Sequence, residues 1–271
     1  MDTYKLKIIR PYLNPVIYIE TNSLFLYNQL LLMYMNNNLT LPTGKNILNI
    51  QISKEKYYYI ISVDKHKPYI VEDALSEISS LITFYRKPIQ NYVLLHCAAI
   101  EKDNKALLFI GPTHSGKTTL TTYLINNGYN YISDDYVAIS SNNLNVQPNG
   151  NPIHLRLNGM KILTDQCKNM VLSGKYIGNH DKRFILVPKN IIDKAIEIKS
   201  IYFSSYSNNA ILQLIKSKQI IMKKIIDNHL LPPELTLTNL HLLYRFTEYP
   251  TYELRYTTVT QAKKLIENNE V

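Results

Sequence analysis

Residues Gly111 to Thr118 read GPTHSGKT and fit G-x-x-x-x-G-K-[ST], the pattern of a loop that cradles phosphate. What surrounds the pattern constrains the fold. Before it, Ala106 to Ile110 (ALLFI) is short, apolar and suited to a buried strand. After it, Thr118 to Asn127 predicts a helix with Leu120, Tyr123, Leu124 and Asn127 on one face, and Gly128 is placed to end that helix. Strand, glycine-bearing loop and helix in that order predict an α/β fold with an anion site at the helix N-terminus.

The residue types suit that task. Gly111 and Gly116 let the backbone turn so that successive N–H groups converge, and Pro112, Thr113, His114 and Ser115 carry the amides between them. Lys117 supplies a full charge for the outer phosphates, the Thr118 hydroxyl is placed to ligate Mg²⁺, and Thr119 continues the loop into the helix. An ordinary strand-to-helix turn is the alternative, and it leaves Gly-Lys-Thr unexplained.

Ser133-Asp134-Asp135-Tyr136 follows a short strand, Tyr129 to Ile132, entered from that helix. In α/β sheets ligands bind at such strand ends. Of two adjacent carboxylates one can hold a metal and the other can take a proton from an attacking hydroxyl. The same pair also suits a plain turn. Upstream, Tyr92 to Ile100 (YVLLHCAAI) predicts an apolar strand interrupted by His96, forming a hairpin with the strand before the loop. His96 can then face the phosphates, or be a hydrogen-bonded core histidine.

His96, GPTHSGKT and Asp134-Asp135 together resemble the catalytic domain of bacterial HPr kinase/phosphorylase, and Leu95-His96-Cys97-Ala98-Ala99 resembles the shorter HPr-kinase-like proteins, some of which phosphorylate lasso-peptide precursors. The resemblance covers residues 92–140 most closely. It implies an HPr kinase/PEP carboxykinase-like P-loop core, with ATP and Mg²⁺ as cofactors. Lys117 would bind the transferred phosphate, Thr118 and Asp134 would hold the metal, Asp135 would be the general base, and His96 would assist at the phosphate and orient the aspartates. The implied reaction is transfer to a serine hydroxyl of a peptide or small protein. A kinase for a small hydroxylated metabolite and a nucleotide-dependent regulator without an acceptor are the alternatives. The chain departs from the family at Thr119, where full-length members carry Glu, and at His154-Leu-Arg-Leu-Asn-Gly159, which lacks a carboxylate found there.

Elsewhere the chain is less informative. Its 271 residues, 45% hydrophobic and 19% charged, are enough for a sizeable core and argue against disorder. Residues 1–90 predict a small α+β unit, with strands at Tyr4–Ile9, Val16–Glu20, Ile47–Ile52 and Tyr57–Val63 and helices at Ser23–Met35 and Val71–Arg86; residues 91–271 would be the kinase domain. The net charge of +9 draws heavily on Lys182 to Lys224 and predicts a solvated basic face, an acidic peptide partner or stabilisation of phosphate charge; no nucleic-acid motif accompanies it. Arg156, Lys182 and Arg183 are candidates for neutralising a transferring phosphoryl group. LSGKYIGNHDK (Leu172 to Lys182) predicts a mobile loop near the active site or an ordinary surface loop, Ala210–Asn228 a helix, Tyr244–Tyr256 a strand and Gln261–Asn269 a helix. Two cysteines without a pairing or metal pattern, no predicted leader and no long apolar run point to the cytoplasm. The oligomeric state is left open, a homo-oligomer included.

Overall fold

Lys105–Ile110 buries alternate side chains on opposite faces, so an unbroken apolar run is a central strand covered on both sides. Ala106, Leu108 and Ile110 enter one core cluster, and Leu107 and Phe109 enter another. The structure is a computed structural model and describes residues 2–9, 13–34, 46–85, 87–88, 92–163, 170–177, 182–228, 230–231 and 237–269.

The central sheet has six strands in the order Asn130–Ser133, Cys97–Lys102, Lys105–Ile110, Glu197–Tyr206, Thr251–Tyr256 and Ile211–Leu214. Helices Lys117–Asn126 and Val259–Asn269 cover one face through Leu120, Leu124, Val259, Ala262 and Ile266. Helices Lys218–Asp227 and Leu237–Phe246 cover the other through Ile221, Ile225, Leu242, Leu243 and Phe246. The described residues thus form a mixed α/β fold. Leu108, fully buried between these layers, sits where truncation to Ala costs about 2–5 kcal/mol.

Strand direction explains how the site assembles. Glu197–Tyr206 runs parallel to Lys105–Ile110, and Thr251–Tyr256 runs parallel to Glu197–Tyr206. Asn130–Ser133 is antiparallel to Cys97–Lys102, itself antiparallel to Lys105–Ile110, so it too points the same way as the loop strand. The carboxyl ends of these strands and the amino end of Cys97–Lys102 therefore meet at one edge.

The segment Tyr92–Ile100 forms two strands rather than one. The chain bends at His96; Tyr92–Leu95 joins a second sheet of four strands, while Cys97–Lys102 stays in the central one. Val137–Ser140 makes the same change of sheet and pairs with Tyr92–Leu95, Val137 opposite Leu95. Both crossings occur at the same place, one at His96 and the other at Asp134-Asp135. A local apolar run does not reveal this, because both halves are equally buried.

Other expectations change at their ends. Leu172 to Lys182 is no surface loop where described: Met170–Ile177 and Lys182–Pro188 pair antiparallel, with a register irregularity between Leu172 and Gly174 that accounts for a glycine inside a strand. Residues 178–181 lie outside the described ones. Ala210–Asn228 divides into strand Ile211–Leu214, paired to Thr251–Tyr256, and helix Lys218–Asp227, begun by the Ser217 Oγ accepting from Ile220 N at 3.3 Å. Tyr244 to Phe246 ends helix Leu237–Phe246 rather than beginning a strand.

The first part of the chain forms a five-stranded sheet, Tyr4–Ile8, Val16–Thr21, Ile47–Lys54, Tyr59–Val63 and Tyr69–Val71. Helices Leu24–Tyr34 and Ala74–Tyr85 pack on it, capped by Ser23 and Asp73, whose side chains accept from Leu26 N at 3.2 Å and from Leu75 N at 3.1 Å. Val71 thus belongs to a strand; Met35 and Arg86 lie outside the described residues. This core cluster also takes in Ile185 from the strand Lys182–Pro188, which ties the first sheet to the region of the site. Among the described residues no helix is long and apolar enough to cross a membrane.

Candidate active site

Ile110 pairs with Cys97, so His96 and Gly111 leave the sheet side by side. From Gly111 the chain turns into helix Lys117–Asn126. Gly116 caps that helix at φ +91°, a left-handed conformation that favours glycine. The helix ends as predicted: Gly128 has φ +96°, and Tyr129 N donates back to the Leu124 carbonyl at 3.2 Å.

One cavity of about 370 Å³ lies over this edge. It is lined by Thr113, His114, Ser115, Lys117, Thr118 and Thr119 from the loop and helix, and by His96, Asp134 and Asp135 from the two crossings. Arg156 and Arg183 line it too. Gly111, Pro112 and Gly116 shape the loop from behind, and Lys117 Nζ donates to the carbonyls of Gly111 (2.6 Å) and Pro112 (3.0 Å). Of the predicted site residues, Gly111, Pro112 and Gly116 form the loop without lining the cavity; the Lys182 backbone pairs with Ile177, and its side chain lies outside the described part.

Charge in this cavity is strained. Asp134 accepts from the Thr118 hydroxyl, while its Oδ1 is buried without a hydrogen-bond partner. Burial first, and Asp135 beside it, push its carboxyl up to about 7, against the opposing pull of Thr118, Lys117 and Arg183. Burial also lowers Lys117, with Asp134 and Asp135 acting in the other direction. Ser115 Oγ is a second buried polar atom without a partner on the same cavity. Buried polar groups are almost always satisfied, so two orphans on one wall mark a place for a polar ligand.

The two arginines add to this. Ile153–Arg156 and Lys182–Pro188 are antiparallel neighbours, and Arg156 stands directly opposite Arg183. Like charges directly opposite are unfavourable unless an anion lies between or beside them. Arg156 Nη1 also lies 2.5 Å from Nδ1 and 2.7 Å from Nε2 of His114, whose φ is +71°. A neutral imidazole offers one acceptor, so one of these contacts is the bond.

Residues the sequence did not single out also line the cavity. Met33, Tyr34 and Ser79 reach it from the two helices of the first sheet, and His154 faces it with Nε2 3.2 Å from the Met33 carbonyl. His154 could have been found from strand period, because it shares a face with Arg156 two residues on. The segment His154 to Gly159 supplies no carboxylate, but Gly159 lets it pack closely: a Cβ there would lie 2.7 Å from Thr119 Oγ1. Cys97 is a buried thiol whose ionisation burial opposes.

Among the described residues no cluster of three or more His, Cys, Asp or Glu forms a metal cage. Mg²⁺ does not require one where phosphate oxygens and water share its coordination. The Thr118 hydroxyl and the orphaned Asp134 Oδ1 fit that smaller donor set.

Neither a scan of protein-family models nor a search of curated protein sequences finds a match to the chain. Among solved structures it is similar to the Hpr(Ser) kinase/phosphatase from Coxiella burnetii, at 11% identity over 65% of this chain and 90% of that one, with a TM-score of 0.33.

Proposed function

We propose that the chain is a Mg²⁺-dependent phosphotransferase that moves the γ-phosphoryl group of ATP to a hydroxyl, with a serine of a peptide or small protein as acceptor. The observation that carries this is the single cavity lined at once by Lys117 and its loop, by Asp134 and Asp135, and by Arg156 and Arg183. Phosphoryl transfer needs little covalent help from protein; it needs positioning and charge neutralisation.

The backbone amides from Thr113 to Thr118 and the Lys117 ammonium would bind the phosphates. Arg156 and Arg183 would take up charge on the transferring group. Thr118 and Asp134 would hold Mg²⁺, which when bound lowers the charge repelling an incoming nucleophile. Asp135, exposed at the cavity, would accept the acceptor's hydroxyl proton as its oxygen bonds to phosphorus and the bond to the departing diphosphate breaks. His96 beside Gly111 would orient the aspartates. The paired acids beside the loop weigh against a regulator that only binds nucleotide, since binding alone has no use for Asp135. The resemblance around Leu95 to Ala99 extends the acceptor class to precursors of ribosomal natural products, lasso peptides among them.

Incubation with ATP, Mg²⁺ and serine-containing peptides encoded by neighbouring genes, followed by mass analysis, tests the proposal. Phosphate on a peptide serine, lost in Asp135→Asn by about 10²–10⁴-fold, is expected. Phosphate on a small metabolite alone would replace the acceptor class, and full transfer by Lys117→Ala would remove the loop from the mechanism.

A further inference from the structure

We infer, on the phosphotransferase reading above, that the nucleobase of the bound nucleotide stacks on Tyr206, beside the loop on the flank away from Asp134. The direction follows from strand order. Asp134 and Asp135 leave the end of Asn130–Ser133, one strand beyond Cys97–Lys102 on one side of the loop strand. Transfer needs the terminal phosphate on that side. A triphosphate laid across the loop then carries its nucleoside toward the other side, where Glu197–Tyr206 and Thr251–Tyr256 end at the same edge. The remaining cavity wall, with Tyr34 and His154, stays open for an acceptor to reach Asp135.

Glu197–Tyr206 is built to follow the loop. It pairs Phe203 with Ile110, the last residue of the loop strand, and continues to Tyr206. Along the way it touches the loop's two glycines. A Cβ on Gly111 would lie 2.7 Å from the Ser204 carbonyl oxygen, and one on Gly116 would strike the Tyr206 ring and lie 2.9 Å from Tyr256 Oη. The Tyr206 ring therefore lies against the loop at the residue that opens the phosphate-facing helix.

Its other surroundings suit a flat ligand. The ring packs on fully buried Tyr256, centroids 4.7 Å apart, yet is 40% exposed itself. Tyr256 Oη is buried and without a hydrogen-bond partner beneath it. Past Tyr206 the chain turns through Ser207, Asn208 and Asn209, held by Ser207 N donating to the Tyr256 carbonyl at 3.0 Å and Asn209 N donating to Ser207 Oγ at 3.3 Å. Tyrosine is common in this chain, at 22 residues, so its presence carries nothing. Its contact with Gly116 does.

Calorimetric titration of the full chain with Mg²⁺ and the non-hydrolysable ATP analogue AMP-PNP, and separately with inorganic tripolyphosphate, tells the two halves of the ligand apart. Tyr206→Ala is expected to weaken AMP-PNP by about tenfold or more while leaving tripolyphosphate unaltered, and Tyr206→Phe to retain both affinities. Unchanged AMP-PNP affinity in Tyr206→Ala would overturn the base subsite. Equal weakening of both ligands would do so too, since the ring would then merely prop Gly116. Failure of the unaltered chain to bind either ligand would instead defeat the phosphate-loop reading, and the subsite with it.

Discussion

Asn149 Nδ2 donates to Ser133 Oγ and to the Tyr136 carbonyl, each at 2.9 Å, and so closes the turn that carries Asp134 and Asp135. Ser133 Oγ in turn donates to the Tyr136 carbonyl at 2.5 Å, and Asn149 N donates to the Ile132 carbonyl at 3.3 Å. Asn149 is nearly fully buried. The acids thus owe their position to a residue that does not line the cavity.

Replacing Asn149 with Ala removes both amide donations that close the turn and leaves only Ser133 Oγ on the Tyr136 carbonyl. The expected result is a loss of about 1–3 kcal/mol in stability and a fall in kcat of about 10²-fold. Denaturant unfolding and steady-state kinetics check both. A variant with normal kcat would show that the turn holds the acids unaided.

Asp134 makes stability depend on pH. Its folded value of about 7 lies above the ordinary 3.8, so the folded state holds the proton more tightly. The associated stability is fully present below about pH 4 and is lost as pH rises through about 7. Asp134→Asn should therefore match the parent at pH 4 and exceed it at pH 8, by on the order of a few kcal/mol, while transfer is abolished. Thermal unfolding at both pH values measures this, and a variant destabilised at pH 8 would contradict the assigned burial.

Gly116 has neither the dihedral freedom nor the space for a side chain. At φ +91° a non-glycine residue is strained by about 1–3 kcal/mol, and the Cβ would also collide with Tyr206 and Tyr256. Gly116→Ala should lower the melting temperature and abolish tripolyphosphate binding. The same substitution at Gly128, where nothing lies within 4 Å, should cost strain alone and leave binding intact.

Arg156 and Arg183 are expected to serve function rather than stability. Arg156→Met removes one of two opposed like charges together with the Arg156–His114 contact, so the two effects offset and stability should change by less than about 1 kcal/mol. The transfer rate should fall by about 10²-fold. Paired melting and kinetic measurements decide this; a destabilised variant with an unaltered rate would make the pair structural.

How much was legible follows from the range of each interaction. Ala106 to Gly128 shows its strand, loop, helix and left-handed stop directly, because each depends on neighbours a few residues away. Asp134 and Asp135 were likewise visible at a strand end. The division at His96 was not, since the strands on either side are equally apolar and differ in which distant partner they pair with. The hairpin through Gly174 read as a loop because a glycine at a strand irregularity and a glycine in a turn look alike in one dimension.

The sequence alone therefore determined the local pieces: a glycine-bearing turn from strand into helix at Gly111 to Thr118, two acids after the next strand, and alternating faces that demand cover on both sides of a sheet. The tertiary structure alone decided what meets what. It set Arg156 against Arg183, brought Met33, Tyr34 and Ser79 from the first sheet to the cavity, and laid Tyr206 on Gly116. The physical reason is that local preference acts over a helical turn or a pleat. Register and burial are settled by pairings between segments far apart in the chain, where no local pattern reaches.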